Sequence, residues 1–176
     1  MSRFLFATLA LALTLVLPAC ETQDPEEAAA AAEAAKGPLP PLHAPATADD
    51  KQWQPYLQQV ISRHQDGVTD RTMAYYLPQD SDTISPEDSD GKTKYERQLE
   101  NVNTVVLRTV LPGNMLVFGS PNSTRMADLV VAAFTGGEPD ALKGSQVLFI
   151  GQAADNPRVQ AAVEAVGAKY IFVEAK

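Results

Sequence analysis

The chain has 176 residues, a net charge of −8 and a pI near 4.7. That length suits one domain with extra segments, and an acidic body without a basic cluster disfavours nucleic-acid binding and argues against broad contact with anionic lipid. Cys20 is the one cysteine, which excludes an internal disulfide and any cysteine-based zinc site.

Met1, Ser2 and Arg3 form a short cationic start, residues 4–16 an unbroken apolar run, and Leu17-Pro18-Ala19-Cys20 closes it. A cationic start followed by such a run is the pattern of an export signal. The run is shorter than the ~20 apolar residues a spanning helix needs. Leu17-x-Ala19-Cys20 resembles the lipobox of bacterial lipoproteins, a resemblance confined to residues 1–20. It implies that the Cys20 thiol receives a diacylglycerol and that a dedicated peptidase cuts before it. The new amino group is often acylated too. Each buried CH₂ contributes ~0.8 kcal/mol, so several acyl chains together anchor firmly. In that family an aspartate directly after the cysteine holds the protein in the inner membrane. Glu21 and Thr22 therefore imply the outer membrane, facing the periplasm.

Residues 21–36 are mainly alanine and glutamate, and residues 37–48 hold four prolines. The first stretch favours helix by propensity but has no large apolar stripe to bury. The second favours extended, polyproline-like chain. A spacer is the expected role, with a proline-rich ligand for another protein as the rival. His43 stands alone there and implies no metal. The expected organisation is a signal peptide over residues 1–19, a lipidated cysteine and tether over 20–50, and a globular domain over 51–176.

Asp49 and Asp50 are expected to cap a helix over residues 51–64, with Trp53, Leu57, Val60 and Ile61 on one stripe. A strand fits residues 72–77, ended by Pro78. Residues 79–91 carry Asp80, Asp82, Glu87, Asp88 and Asp90 with no base. Such oxygens suit calcium, but the spacing does not match the helix-loop-helix calcium pattern, and a solvated acidic loop is the better reading. Residues 92–110 read as a helix with Tyr95, Leu99, Val102, Val106 and Val110 aligned. The β-branched residues 104–110 leave a strand open as an alternative. Residues 114–118 read as an apolar strand and 123–134 as a helix. After residues 136–139 break the chain, 146–150 read as a second apolar strand. Asp155 or Asn156 caps a helix with Pro157 in its first turn, Gly167 ends it, and residues 170–173 form a last strand. Apolar strands alternating with helices predict a small three-layer α/β domain with a mainly parallel sheet of about four strands.

Residues 116–120 match 148–152 at a spacing of 32, each followed by an asparagine and an arginine: Asn122 and Arg125, then Asn156 and Arg158. The match suggests two equivalent loops at the carboxyl edge of the sheet, where open α/β sheets bind ligands. The plainer reading is that all strand-glycine-helix units look alike. Residues 119–125 are the best candidate site, with Ser120, Asn122, Ser123, Thr124 and Arg125 at a helix N-terminus that favours an anion. Asn156 and Arg158 are their counterparts in the second loop. Helix capping by Asn122, Ser123 or Thr124 is the simpler explanation. Ser120 would need a base to act as nucleophile, and His64 is the one histidine after the tether. A carboxylate pairing of Asp128 with Asp155 or Glu164 is conceivable. No dinucleotide, Walker or G-x-S-x-G motif occurs, and no cofactor or metal is expected. The expected function is a lipid-anchored, non-catalytic module that binds an envelope protein or glycan. A hydrolase acting at residues 120–125, or a small-anion carrier using the same edge, is the alternative.

Overall fold

The computed structural model describes residues 40–85, 90–108 and 110–176. The export and lipidation motif with Cys20, most of the tether, and Glu87 and Asp88 of the acidic loop lie outside the described residues. Pro41–Lys176 form one compact unit. Among the described residues no helix is long and apolar enough to cross a membrane.

Four parallel strands form one sheet in the order β1-β2-β3-β4, with β1 at Thr72–Tyr76, β2 at Met115–Gly119, β3 at Gln146–Gly151 and β4 at Lys169–Glu174. The helices are α1, Asp50–Ser62; α2, Lys94–Leu107; α3, Ser123–Phe134; and α4, Asn156–Ala165. The central strands are buried along their whole length, as two covered faces require.

The two faces are covered unequally. Val102 and Val106 of α2, Met126, Leu129, Val130 and Phe134 of α3, and Val159 and Val163 of α4 share one cluster with Leu116, Phe118, Val147 and Phe149. All three crossover helices thus lie on one side, as crossovers of one hand require when each strand is added next to the last. On the other side α1 packs Trp53, Tyr56, Leu57, Val60 and Ile61 against Met115, Val117, Leu148 and Ile150. Phe118, Phe134 and Phe149 are fully buried, and burial of such a side chain stabilises by about 1.5–3 kcal/mol.

Local signals account for the helix ends. The Asp49 side chain accepts from the Lys51 N–H at 3.0 Å and starts α1. Thr93 and Glu96 form a reciprocal capping box at the start of α2, through Glu96 N–H to Thr93 Oγ1 at 3.1 Å and Thr93 N–H to Glu96 Oε2 at 2.7 Å. That box, with the buried Val102 and Val106, makes residues 104–107 helix instead of the alternative strand. Val110 is buried just beyond it. Gly167 follows α4 with φ 80°, and a side chain there would also press on the Asp140 backbone, so glycine is required twice over.

The folded unit begins before α1. Leu42 and Ala44 of the proline-rich stretch pack on the α1 cluster, Ala44 N–H donates to Lys176 O at 2.6 Å, and Trp53 Nε1 donates to Thr47 O at 2.9 Å. The end of the expected spacer is therefore docked on the domain.

Candidate functional site at the carboxyl edge

Residues 120–122 and 152–155 leave β2 and β3 side by side, so both candidate loops do lie at the carboxyl edge. The edge has no switch point, however. A sheet whose order never reverses has no crevice between diverging crossovers, which is where open α/β sheets place ligands.

The 32-residue repeat is not structural. Leu116 pairs with Val147 and Phe118 with Phe149, an offset of 31. Side chains alternate along a strand, so residues matched at 32 point to opposite faces: Leu116 lies in the α2–α4 cluster and Leu148 in the α1 cluster. The two glycines differ likewise. A Cβ on Gly119 would strike Leu57 of α1, whereas one on Gly151 would lie 2.6 Å from the Phe149 ring and 2.6 Å from Ser123 Oγ.

The candidate side chains are engaged by other parts of the protein. Ser120 is buried, and its Oγ accepts from Asn122 N–H at 3.0 Å. Asn122 is the N-cap of α3, its Oδ1 accepting from Arg125 N–H at 3.1 Å. Ser123 Oγ donates to Asp155 Oδ2 at 2.7 Å and accepts from Gln152 N–H at 2.7 Å. Thr124 Oγ1 donates to the same carboxylate oxygen at 3.3 Å. Arg158 donates to Asp155 Oδ1 through Nη2 at 2.7 Å, to Asp128 Oδ1 through Nη1 at 2.5 Å, and to Thr124 O at 2.9 Å. Arg125 lies 3.5 Å over the Tyr95 ring and donates through Nε to Asp82 Oδ1 at 3.0 Å. Asn156 Oδ1 accepts from Tyr170 OH at 2.8 Å.

These bonds form two locks. Asp155, Arg158 and Asp128 tie α4 to α3, while Arg125, Asp82 and Tyr95 tie α3 to the start of α2. Asp155 stands at the N-cap position of α4, but its side chain makes no capping hydrogen bond. It reaches Ser123 and Thr124 at the head of the neighbouring helix, so the protein's own carboxylate meets the hydroxyls expected to greet an external anion. Burial pushes the Asp155 carboxyl up, yet hydrogen bonds from Ser123 and Arg158, the Arg158 charge and the Thr124 hydrogen bond together hold it below the usual carboxylate value. Asp128 and Asp155 do come together, but through a shared guanidinium and not as an acid–base pair. Glu164 instead accepts from Gln160 Nε2.

Ser120, Arg125 and His64 are not assembled. His64 follows α1 where the chain turns toward the start of β1, with Nδ1 2.8 Å from Val60 O, so it lies at the sheet's amino edge. Arg125 turns to Tyr95 on the α2 side. What Ser120 does meet is a cleft of about 320 Å³, shared with Trp53, Pro121, Gln152 and the docked residues Ala44 to Ala46. The described acids of the 79–91 loop hold cations of the protein itself: Asp80 with Lys94 at 2.6 Å, Asp82 with Arg125, and Asp90 with Arg97 at 3.0 Å. Among the described residues no cluster of three or more His, Cys, Asp or Glu is arranged to hold a metal.

Sequence reading missed the pairings: Asp82 read as part of a solvated acidic loop, Tyr95 as part of a helix stripe and Gln152 as part of a repeat, and nothing linked them to Arg125 or Ser123. The Asp155–Arg158 spacing of three, which places both on one helical face, was the available clue. Comparison with known proteins finds no matching family model, no matching curated protein and no matching solved structure.

Proposed function

We propose that this chain is a lipid-anchored envelope protein, held by acyl chains on Cys20 in the outer membrane and facing the periplasm. Its folded unit binds another envelope component, a protein or a glycan, without catalysing a reaction. The signal-like residues 1–20 support the anchor. The observation that favours this reading over an anion site is the state of the carboxyl edge, where both arginines of the candidate loops are matched by the protein's own carboxylates. An anion would have to displace those partners. The rival reading, a hydrolase or small-anion carrier using residues 119–125, is weakened by the same pairing. The cleft beside Ser120 is the feature that favours it.

Metabolic labelling with a radioactive fatty acid, followed by separation of the two membranes, tests the anchor. The wild-type chain incorporates label and sediments with the outer membrane, and Cys20→Ser does neither. Equal label in the variant contradicts the reading.

A further inference from the structure

We propose that a groove at the amino edge of the sheet docks an acidic segment of a partner protein that carries an apolar anchor residue. This deepens the interaction reading above and rests on it. The groove, about 270 Å³, lies where α2 ends and β1 and β2 begin, and is lined by Arg71, Met73, Val105, Arg108, Val110 and Leu111. It is near the lower end of small-molecule sites, a size that suits one or two apolar side chains better than a cofactor.

Its charge is what selects the partner. Arg97, Arg125 and Arg158 are each paired with carboxylates. Arg71 and Arg108 are exposed and make no side-chain hydrogen bond or ion pair to any described residue. Asp70 also lines the groove, which leaves the rim with an excess of one positive charge on a molecule of net charge −8. An acidic partner is repelled by most of this surface and is steered to that rim. There two guanidiniums offer charge-assisted, bidentate hydrogen bonds to carboxylates.

Leu111, which lines the groove, and Leu107, the last residue of α2, are both exposed. Leu107 is 73% exposed and Leu111 64%. Single exposed leucines are ordinary, but an exposed leucine in the wall of the groove offers an apolar contact beside the two arginines.

The described chain enters the folded unit at the carboxyl edge, where Ala44 bonds to Lys176. The groove is at the opposite end of the sheet from Ala44.

The test uses the full chain in phosphatidylcholine nanodiscs. The probes are fluorescent, capped peptides that alternate Asp or Glu with Leu or Phe, read by anisotropy, with the same peptides carrying Lys in place of the acids as control. The acidic peptides bind saturably and more weakly as salt rises, and the lysine peptides do not bind. Arg71→Glu with Arg108→Glu weakens binding by roughly tenfold or more. Leu111→Ser weakens it too, with melting temperatures unchanged because these side chains are exposed. Four results overturn the proposal: no saturable binding at millimolar peptide, equal binding by the lysine peptides, binding unchanged in the double arginine variant, or octanoate displacing the peptide as well as the peptide displaces itself. Loss of peptide binding when phosphatidylglycerol replaces phosphatidylcholine assigns the groove to lipid and overturns it as well. Fatty-acid labelling of Cys20 is independent of all these outcomes, so failure of the groove is distinguishable from failure of the anchored-module reading.

Discussion

Ser123 Oγ, at the head of α3, donates at 2.7 Å to Asp155 Oδ2, which stands 32 residues later at the head of α4. Both residues are buried, and the same carboxylate receives Arg158 and Thr124. Two adjacent helices of the crossover layer are thus joined at their N-terminal ends by one acid.

Asp155→Asn is expected to destabilise the fold by about 1–3 kcal/mol at neutral pH, because hydrogen bonds to a charged acceptor are lost and Arg158 keeps only Asp128 as a carboxylate partner. The effect depends on pH with a defined sign. The folded pKa of Asp155 is depressed, so its contribution is complete above the unfolded carboxyl value of ~3.9 and is lost as pH falls through the lower folded value. Urea unfolding of wild type and variant at pH 6 and pH 3 checks this. The gap between them should narrow at the lower pH; a gap that widens on acidification contradicts the depressed pKa.

Gly151→Ala is expected to cost more stability than Gly119→Ala. The added methyl at Gly151 meets the buried Phe149 ring and the tethered Ser123 hydroxyl, whereas at Gly119 it meets the tip of Leu57. A leucine tip can change rotamer, but a fully buried ring and a doubly hydrogen-bonded hydroxyl cannot move without breaking other contacts. Thermal melts of the two variants decide it, and equal losses would mean that the Ser123–Asp155 bond adds little.

Deleting residues up to Ala48 is expected to lower stability by about 1–3 kcal/mol, since Leu42 and Ala44 leave the α1 cluster and Trp53 Nε1 loses Thr47 O. From composition alone this stretch reads as spacer. Trp53 is 5% exposed, so its native emission should lie to the blue and shift to the red on unfolding. An emission maximum and melting point unchanged by the deletion would show that the stretch does not dock.

The architecture was legible because its signals are local and repeated. Apolar runs such as residues 115–118 and 147–150, each bounded by turn residues, read directly as buried strands. The stripe through Trp53, Leu57, Val60 and Ile61 marked α1 and its buried face. Asn122 read as a cap and is one. The site was less legible because its partners are distant in sequence. Arg125 meets Asp82 across 43 positions and Arg158 meets Asp128 across 30, and one sequence holds no signal that pairs them. The apparent repeat misled for a related reason. It was judged by residue type, whereas the pairing register differs by one position and reverses which face each side chain occupies. The docked residues 42–47 were missed because prolines and alanines read as unstructured even where a sheet face offers them a seat.

The central claim is that the carboxyl edge is a structural lock, with its arginines already occupied. Calorimetric titration of the wild-type chain with phosphate, together with melts of Arg125→Ala and Arg158→Ala, tests it most directly. The account predicts no saturable heat at millimolar phosphate and a lower melting point in both variants, with Arg158→Ala the more damaged because it strands the buried Asp155. Saturable phosphate binding that Arg125→Ala abolishes while the melting point stays unchanged would contradict it and restore residues 119–125 as an anion site.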